Sequence, residues 1–315
     1  MAKLRDIKRR IKSVKNTAKI THTMELVATA KAKVTQGRIQ KAIPYFKAIA
    51  EIAGEARRSG SGPAAPSTEG PAIPLHPLLT KREVKKVTIL AVAANRGLCG
   101  GYNGNVLRFL RRRVDELKAE GLAVTILAVG KKLVGGLKFQ QMAHEVVQGP
   151  VPDDRPPYAD CERIADELAR RFLNGDADRV EVVYTHYFSA GQQAPIVETF
   201  LPIDPSKAEP QKGGKGEATT AKPSGAAETS VDFIIEPDPK SILDALFPLQ
   251  AKLHIYRVFL ETTTSEQIAR RVAMKNASDN AAEVGKALRM QYNRARQAGI
   301  TKEILEIVGG AEALA

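Results

Sequence analysis

The sequence has no tryptophan, only two cysteines and only 5% aromatic residues in 315 residues. Cys99 and Cys161 stand in different sequence contexts, so we predict neither a disulfide framework nor a cysteine-based metal site. This cysteine usage is typical of a reducing compartment. No stretch approaches the roughly 18 uninterrupted apolar residues of a membrane-spanning helix. The composition favours a soluble, helix-rich protein of about two domains.

The motifs of catalysis are missing as well. The five histidines show no metal-ligand spacing, and the sequence contains no G-x-S-x-G, H-E-x-x-H or C-x-x-C motif. We therefore predict a chain that is not an enzyme and that holds no cofactor and no metal.

Acidic residues are scarce at the start of the chain. Residues 1–58 hold 15 Lys and Arg against 4 Asp and Glu, a net charge of +11 out of +13 for the whole chain. Eight of these cations fall in the first nineteen residues, at the positive end of a helix dipole, where they are unfavourable. An anionic partner would favour this arrangement, and plain solvation of a coiled-coil surface is the alternative. The basic start also resembles a transit peptide, but its heptad pattern continues without a break, and we expect it to be part of the mature protein.

The C-terminal stretch has the period of a coiled coil. Its mostly apolar positions alternate spacings of three and four, and half of them are alanines that let a partner backbone approach closely. The predicted seam comprises Met274, Ala277, Ala281, Val284, Leu288, Gln291, Ala295 and Ala298. A helix of this kind needs a second strand.

The N-terminal stretch offers that strand. Its seam runs through Leu4, Ile7, Ile11, Val14, Ala18 and Thr21, then shifts to Met24, to Val27 or Ala28, and later to Ile49 and Ile52. As one helix, about 57 residues would span roughly 85 Å. The alternative is two amphipathic helices broken at Pro44.

The region between the helices predicts an α/β domain. Strand-like runs at 85–94, 123–129, 180–188 and 196–201 alternate with helical segments at 103–120 and 158–173. Such alternation predicts a Rossmann-like, mainly parallel sheet covered on both faces. We therefore predict an α/β fold class with a long antiparallel coiled coil of the terminal helices, organised as a helix at 1–58, a linker at 59–80, an α/β domain at 81–203, a flexible insert at 204–230 and a helix at 231–315.

The insert has no large apolar residue and no cysteine between Asp204 and Ser230. We interpret it as a passive, flexible spacer, with a docking or inhibitory segment as the alternative.

A glycine-rich loop, Asn95-Arg-Gly-Leu-Cys-Gly-Gly-Tyr-Asn103, follows the first strand. Its glycines, Gly97, Gly100 and Gly101, fit neither G-x-G-x-x-G nor G-x-x-x-x-G-K-[ST]. We predict a tight structural turn between strand and helix rather than a nucleotide-binding loop.

Three separated stretches resemble the gamma subunit of F-type ATP synthases. They are KRRIKSVKNTAKITHTMELVATAK near the start, NRGLCGGYN after the first strand, and SEQIARRVAMKNASDNA with YNRARQAGITKEILEIVGGAEAL near the end. The family usually has aspartate where this chain has Asn95.

The resemblance implies a central rotor shaft of the F1 sector that couples proton translocation to ATP synthesis. Its implied partners are the alpha and beta subunits, the epsilon subunit and the c-ring of Fo, with one copy per complex and no nucleic acid. By the same resemblance Met24, Arg296, Gln297 and Thr301 contact the alpha-beta ring, and the protein is peripheral at the cytoplasmic face of the bacterial inner membrane. The alternative is a basic coiled-coil scaffold or nucleic-acid-binding protein.

Overall fold

The computed structural model describes residues 2–60, 76–147, 156–203 and 239–312. The insert predicted at 204–230 and most of the linker predicted at 59–80 lie outside these residues. Two long helices stand at the ends, α1 (Ala2–Gly60) and α5 (Pro239–Glu312). The predicted combination of long terminal helices and a mainly parallel sheet is confirmed.

A five-stranded sheet occupies the middle of the chain, in the order β3-β2-β1-β4-β5. The first three strand pairs in this order are parallel, and β5 pairs with β4 antiparallel as a hairpin. The strands are β1 (Lys86–Val92), β2 (Ala123–Val129), β3 (Glu145–Val146), β4 (Arg179–Ser189) and β5 (Gln192–Leu201). Three shorter helices, α2 (Tyr102–Ala119), α3 (Lys131–Phe139) and α4 (Tyr158–Leu173), connect the parallel strands.

Helices cover both faces of this sheet, which is why most residues of the central strand β1 are apolar and buried. Along β1, Ile89 and Ala91 join the core formed with α2 and α3. Leu90 and Val92 point to the other face and join the core formed with α4 and α5. A strand buried on both faces cannot show the alternation of a half-exposed strand, and the continuous apolar run at 85–94 has this cause.

Three short elements were not predicted. Helix α3 contains Gly135 and Gly136 in its middle, and glycine lowers helix propensity. Strand β3 has only two residues, and a 3₁₀ helix (Pro77–Leu79) lies within the predicted linker. The 3₁₀ helix is anchored because Leu78 is buried and the Leu78 N–H donates to His76 Nδ1 at 3.1 Å.

The first helix is continuous through Pro44, so the alternative of two separate helices is wrong. Pro44 is exposed, and the backbone hydrogen bond that it cannot make is lost on the solvent side, where water satisfies the freed carbonyl. Helix α5 likewise continues through Pro248.

The chain divides into two compact units. The helical unit comprises the described residues of Met1–Ala30, Leu98–Gly100 and Gln267–Ala315. The α/β unit comprises those of Lys31–Gly97 and Gly101–Glu266.

Candidate functional site

Within the helical unit, two glycines of α5 fix the direction in which the helices pair. A Cβ atom placed on Gly285 would lie 3.9 Å from Val14 Cγ1, and one placed on Gly299 would lie 3.8 Å from Leu4 Cδ1. The residue number on α1 therefore decreases as the residue number on α5 increases. The terminal helices are therefore antiparallel, as predicted.

The seam of α1 follows the predicted spacing. Ile7 and Ala28 are buried, and the intervening positions are half-buried at Ile11, Val14, Ala18, Thr21 and Met24. Of the two alternatives for the next position, Val27 is 50% exposed and Ala28 is 1% exposed. Large apolar residues at spacings of three and four are sufficient to predict this face of α1.

The seam of α5 was predicted only in part. Met274, Ala277, Ala281, Leu288 and Ala295 are buried or half-buried, but Val284, Gln291 and Ala298 are exposed. Their neighbours Gly285, Tyr292 and Gly299 take the inward positions. The prediction was wrong at all three positions. At Val284 and Ala298 it followed apolar side chains, whereas the packing uses the adjacent glycine, where the partner helix approaches closely. At Gln291 it followed the spacing alone, and the adjacent Tyr292 is half-buried instead.

A disulfide tests this register. We expect the double variant Val14→Cys with Gly285→Cys to crosslink on mild oxidation, because the two side chains would lie within disulfide reach. The matched control, Val14→Cys with Val284→Cys, should crosslink far more slowly, since Val284 is 49% exposed. Native Cys99 and Cys161 are both buried. Non-reducing electrophoresis measures both yields, and a faster crosslink through position 284 would contradict the register.

The residues predicted to contact partners lie at two separate levels. Arg296, Gln297 and Thr301 are exposed on successive turns of α5, and Thr301 Oγ1 donates to the Gln297 carbonyl at 2.9 Å. Met24 is half-buried on α1. The register places Met24 about 20 residues of α5, or about 30 Å, from the other three. Their roles as contacts stay predictions.

Sequence reasoning missed an apolar surface near the end of α5. Five large side chains there are between 44% and 72% exposed, namely Ile300, Ile304, Leu305, Ile307 and Val308. Leu4 of α1 lies beside Gly299, immediately before these exposed side chains in α5. An exposed apolar patch of this kind marks an interaction surface, and the run of β-branched and leucine residues after Gly299 was the available signal.

Leu98 is a second residue that the sequence did not single out. It has a φ of 62° and is 63% exposed. A left-handed conformation costs free energy for a side chain with a Cβ atom. A strained, exposed leucine in the loop of the helical unit is a candidate contact for a partner.

The cations of α1 form an exposed surface. Arg5, Lys8, Arg10 and Lys12 are all exposed, and Arg9 has the nearby Asp6 carboxylate at 3.3 Å. An exposed ion pair of this kind is worth less than about 1 kcal/mol. The first turns of α1 therefore present a strongly positive surface.

The glycine-rich loop leads from β1 to α2. Gly97 is half-buried, Gly101 immediately precedes α2, and Gly100 has a φ of 59°. A Cβ on Gly100 would meet Ala273 Cβ of α5 at 3.6 Å. The roles of these three glycines in a structural turn stay predictions.

Helix α5 fills the place where a sheet of this order binds a nucleotide. That place is the crevice at the carboxyl ends of β1 and β4, where the strand order reverses. Tyr102 Oη donates to the Thr262 carbonyl at 3.2 Å, and Ser265 Oγ donates to the Thr185 carbonyl at 3.3 Å. Thr262 and Ser265 are fully buried, so α5 takes the room that a ligand would need.

Asn95, which stands where the resembling family has aspartate, caps α3. Its Oδ1 accepts a hydrogen bond from the Lys131 N–H at 2.9 Å. Its Nδ2 is buried and has no hydrogen-bond partner among the residues that the structure describes.

Asn95→Asp is expected to raise the free energy of unfolding by about 1 kcal/mol. The change removes an unsatisfied donor and places a carboxylate at the positive end of a helix. Asn95→Ala should lower it by about 1 kcal/mol, because the cap is lost. Thermal unfolding of the purified protein compares the three. A less stable Asn95→Asp would contradict this expectation and would mean that burying the second carboxylate oxygen costs more than the helix terminus contributes.

In the described parts of the chain, no helix is long and apolar enough to span a membrane, and no cluster of three or more His, Cys, Asp and Glu could hold a metal ion. Two features of the described residues characterise the protein. Two long terminal helices pair antiparallel, and the second of them fills the crevice of a Rossmann-like sheet. They define a class of proteins with a pair of long antiparallel terminal helices and a Rossmann-like sheet whose crevice is filled by the chain itself.

Known proteins of this kind match along the full chain. Residues 3–314 match the family described as ATP synthase. The ATP synthase gamma chain of Leptospira biflexa is 42% identical over 316 residues, which cover 100% of both chains. That of a Cyanothece species is 42% identical over 325 residues, again with 100% of both chains covered.

Solved structures agree on the fold. A chain from the Euglena gracilis mitochondrial ATP synthase aligns with a TM-score of 0.62 at 20% identity, covering 99% of this chain and 95% of that one. A chain from the rotor of the same enzyme aligns with a TM-score of 0.58 at 19% identity, covering 95% and 99%. The protein belongs to the ATP synthase gamma chain family.

Proposed function

We propose that the protein is the central rotor shaft of the F1 sector of an ATP synthase and transmits torque between a proton-driven c-ring and catalytic beta subunits. It is itself non-catalytic and present once per complex. The observation that carries the proposal is the antiparallel pairing of α1 with α5, with Leu4 beside Gly299 and Val14 beside Gly285. Such a pair is a slim shaft that a ring of subunits can surround.

A shaft acts through its asymmetry. The cross-section of the helical pair differs around its circumference, with cations concentrated on α1. Three otherwise equivalent partners would therefore meet three different surfaces. Each surface favours a different partner conformation, and this coupling free energy replaces a chemical step.

The partners follow from the chemistry of the shaft. The positive surface of α1 suits acidic surfaces of the beta subunits, and Met24 lies on the same helix. The apolar end of α5 suits an apolar sleeve formed by alpha and beta, with Arg296, Gln297 and Thr301 just before or within it. The α/β unit would meet the epsilon subunit and the c-ring of Fo. The protein is thereby peripheral at the cytoplasmic face of the bacterial inner membrane.

Reconstitution tests this function. The purified chain, mixed with alpha and beta subunits, should join a hexamer and raise its ATPase activity. Failure of both would overturn the proposal. Salt-sensitive binding to arbitrary DNA without assembly would favour the basic scaffold instead.

Arg296→Ala is expected to weaken docking to the ring and to lower ATP-driven proton pumping, because a guanidinium can bind carboxylates or carbonyls with two hydrogen bonds. The free protein should keep its unfolding temperature, since Arg296 is exposed. Arg289→Ala, an exposed arginine two turns earlier, is the matched control. A variant that is less stable yet pumps normally would make Arg296 a structural residue.

A further inference from the structure

Within the α/β unit, a stripe of polar side chains lies on helix α5 where it meets β4 and β5. His254, Arg257, Glu261 and Ser265 follow one another at spacings of three, four and four, which places them on one side of the helix. Val258 and the apolar residues of α5 that adjoin it are fully buried. A polar stripe inside an apolar contact needs a reason, because burying charge is costly.

The first part of the stripe binds a carboxylate of β5. Arg257 Nη2 donates to both oxygens of Glu198, at 3.0 and 3.1 Å. Tyr184 Oη, from β4, donates to the same carboxylate at 3.0 Å, and His254 Nε2 lies 3.4 Å from it. Burial alone would raise the pKa of Glu198, but His254 and Arg257 outweigh it and hold the pKa well below its ordinary value. Glu198 is therefore a carboxylate at neutral pH.

The second part of the stripe has the opposite polarity. Glu261 of α5 pairs with His186 Nδ1 of β4, and its other oxygen lies 3.7 Å from Arg257 Nε. Helix α5 therefore contributes charges of both signs to this contact. The helix gives a cation to β5 and a carboxylate to β4, with Arg257 between the two carboxylates.

This arrangement specifies position more than stability. A buried ion pair is often no more stabilising than apolar residues of the same size, and its best-attested use is to fix a register. Rotating α5 by one residue turns it by about 100°, and sliding it by one turn moves it by about 5.4 Å. Either shift would set Glu261 or Arg257 against the wrong partner. Apolar neighbours would tolerate such a shift far better, because their contacts are not directional.

We propose that Glu198, Arg257, Glu261 and His186 form a register lock that holds α5 on the sheet against rotation and sliding while the helix carries torque. They are positioning residues and touch no reacting group. The inference rests on the proposed function, because a helix that carries no torque needs no lock.

A second buried pair provides the control. Arg113 of α2 binds Glu181 of β4 through two nitrogens, at 2.9 and 2.7 Å. The side chains of Arg113 and Arg257 are 23% and 21% exposed. The two arginines match in burial and each makes two hydrogen bonds to a strand glutamate, although Glu181 is 2% and Glu198 31% exposed. The Arg113 pair does not involve α5, and because it is the more buried pair, its loss should affect stability at least as much.

The test uses the assembled ATP synthase with Arg257→Gln, Glu198→Gln or Arg113→Gln. Rotation driven by ATP hydrolysis is followed with a small probe and with a large probe that imposes viscous load. We expect Arg257→Gln and Glu198→Gln to stall at a viscous load that the wild-type complex still turns, with near-normal rotation under low load. Arg113→Gln should keep wild-type torque, and Arg257→Lys, which keeps the charge, should recover part of the loss.

The possible outcomes distinguish a specific role of these residues in torque transmission from a general effect on stability. Unfolding temperatures of the purified chains show how far each substitution lowers the stability of the protein. Wild-type torque in Arg257→Gln and Glu198→Gln overturns the lock, and so does an equal loss in Arg113→Gln. If either glutamine variant fails to assemble, the torque of Arg257→Lys is compared with that of Arg113→Lys instead. A wild-type complex that never rotates overturns the proposed function itself, before any variant is compared.

Discussion

Gly130→Ala is expected to lower the free energy of unfolding by at least about 3 kcal/mol, the sum of backbone strain and overpacking. Gly130 joins β2 to α3 with a φ of 106°, a conformation that L side chains rarely adopt. A Cβ there would lie 2.8 Å from the Ala93 carbonyl carbon and 3.1 Å from the Ala94 oxygen. Both are backbone atoms at the end of the central strand, so they cannot move aside without disturbing the sheet.

Substitutions at two other glycines distinguish the cost of backbone strain from the cost of the steric clash. Gly121 has a φ of 78° but no heavy atom within 4 Å of its would-be Cβ, so Gly121→Ala should cost about 1 kcal/mol for the backbone alone. Gly135, inside α3 and equally uncrowded, should give a protein about 0.5 kcal/mol more stable when changed to alanine. Thermal or urea unfolding ranks the three variants. Equal stability of Gly130→Ala and Gly121→Ala would contradict the close packing of the β2–α3 turn against β1.

Ile7→Glu is expected to open the N-terminal end of the helical pair. Ile7 is 6% exposed and lies between the two contacts that Leu4 and Val14 make with α5. Losing its burial costs about 1.5–3 kcal/mol, and a carboxylate in its place adds a desolvation cost. Since the site is near a helix end, the response should be local unfolding rather than global unfolding.

The chain supplies a matched control in Ile20→Glu. Ile20 is on the same helix but 60% exposed, so the same chemical change should leave stability within about 0.5 kcal/mol. Hydrogen exchange measures the difference directly. Amides of α1 around Ile7 and of α5 near Gly299 should lose protection in Ile7→Glu only. Comparable loss in both variants would show that the two helices are not paired through Ile7.

Periodic apolar side chains made the fold predictable. The seam of α1 could be found because isoleucine, valine and leucine mark its positions, and β2 and α4 have the bounds that their apolar runs predict. The seam of α5 was found only in part, because Gly285 and Gly299 have no side chain to mark an inward position. Helix α3 escaped prediction for the same reason, since two glycines interrupt its pattern.

The polar network on α5 could not be predicted from local sequence. Charged residues on a helix normally lie on its solvated face, and His254, Arg257 and Glu261 have no local feature that distinguishes them. Their burial is decided by Glu198 and His186, which are distant in the sequence and are brought close by the β4–β5 hairpin. The spacing of three and four between His254, Arg257 and Glu261, among large apolar residues, was the one available signal.

If the proposed function is correct, this chain turns inside a ring of catalytic subunits. The direct measurement is single-molecule observation of a probe attached to the α/β unit, in a complex of this chain with immobilised alpha and beta subunits supplied with ATP. We expect rotation in one direction, with three equivalent dwells per turn set by three equivalent partners. A chain that is incorporated and remains still while the beta subunits hydrolyse ATP would contradict it.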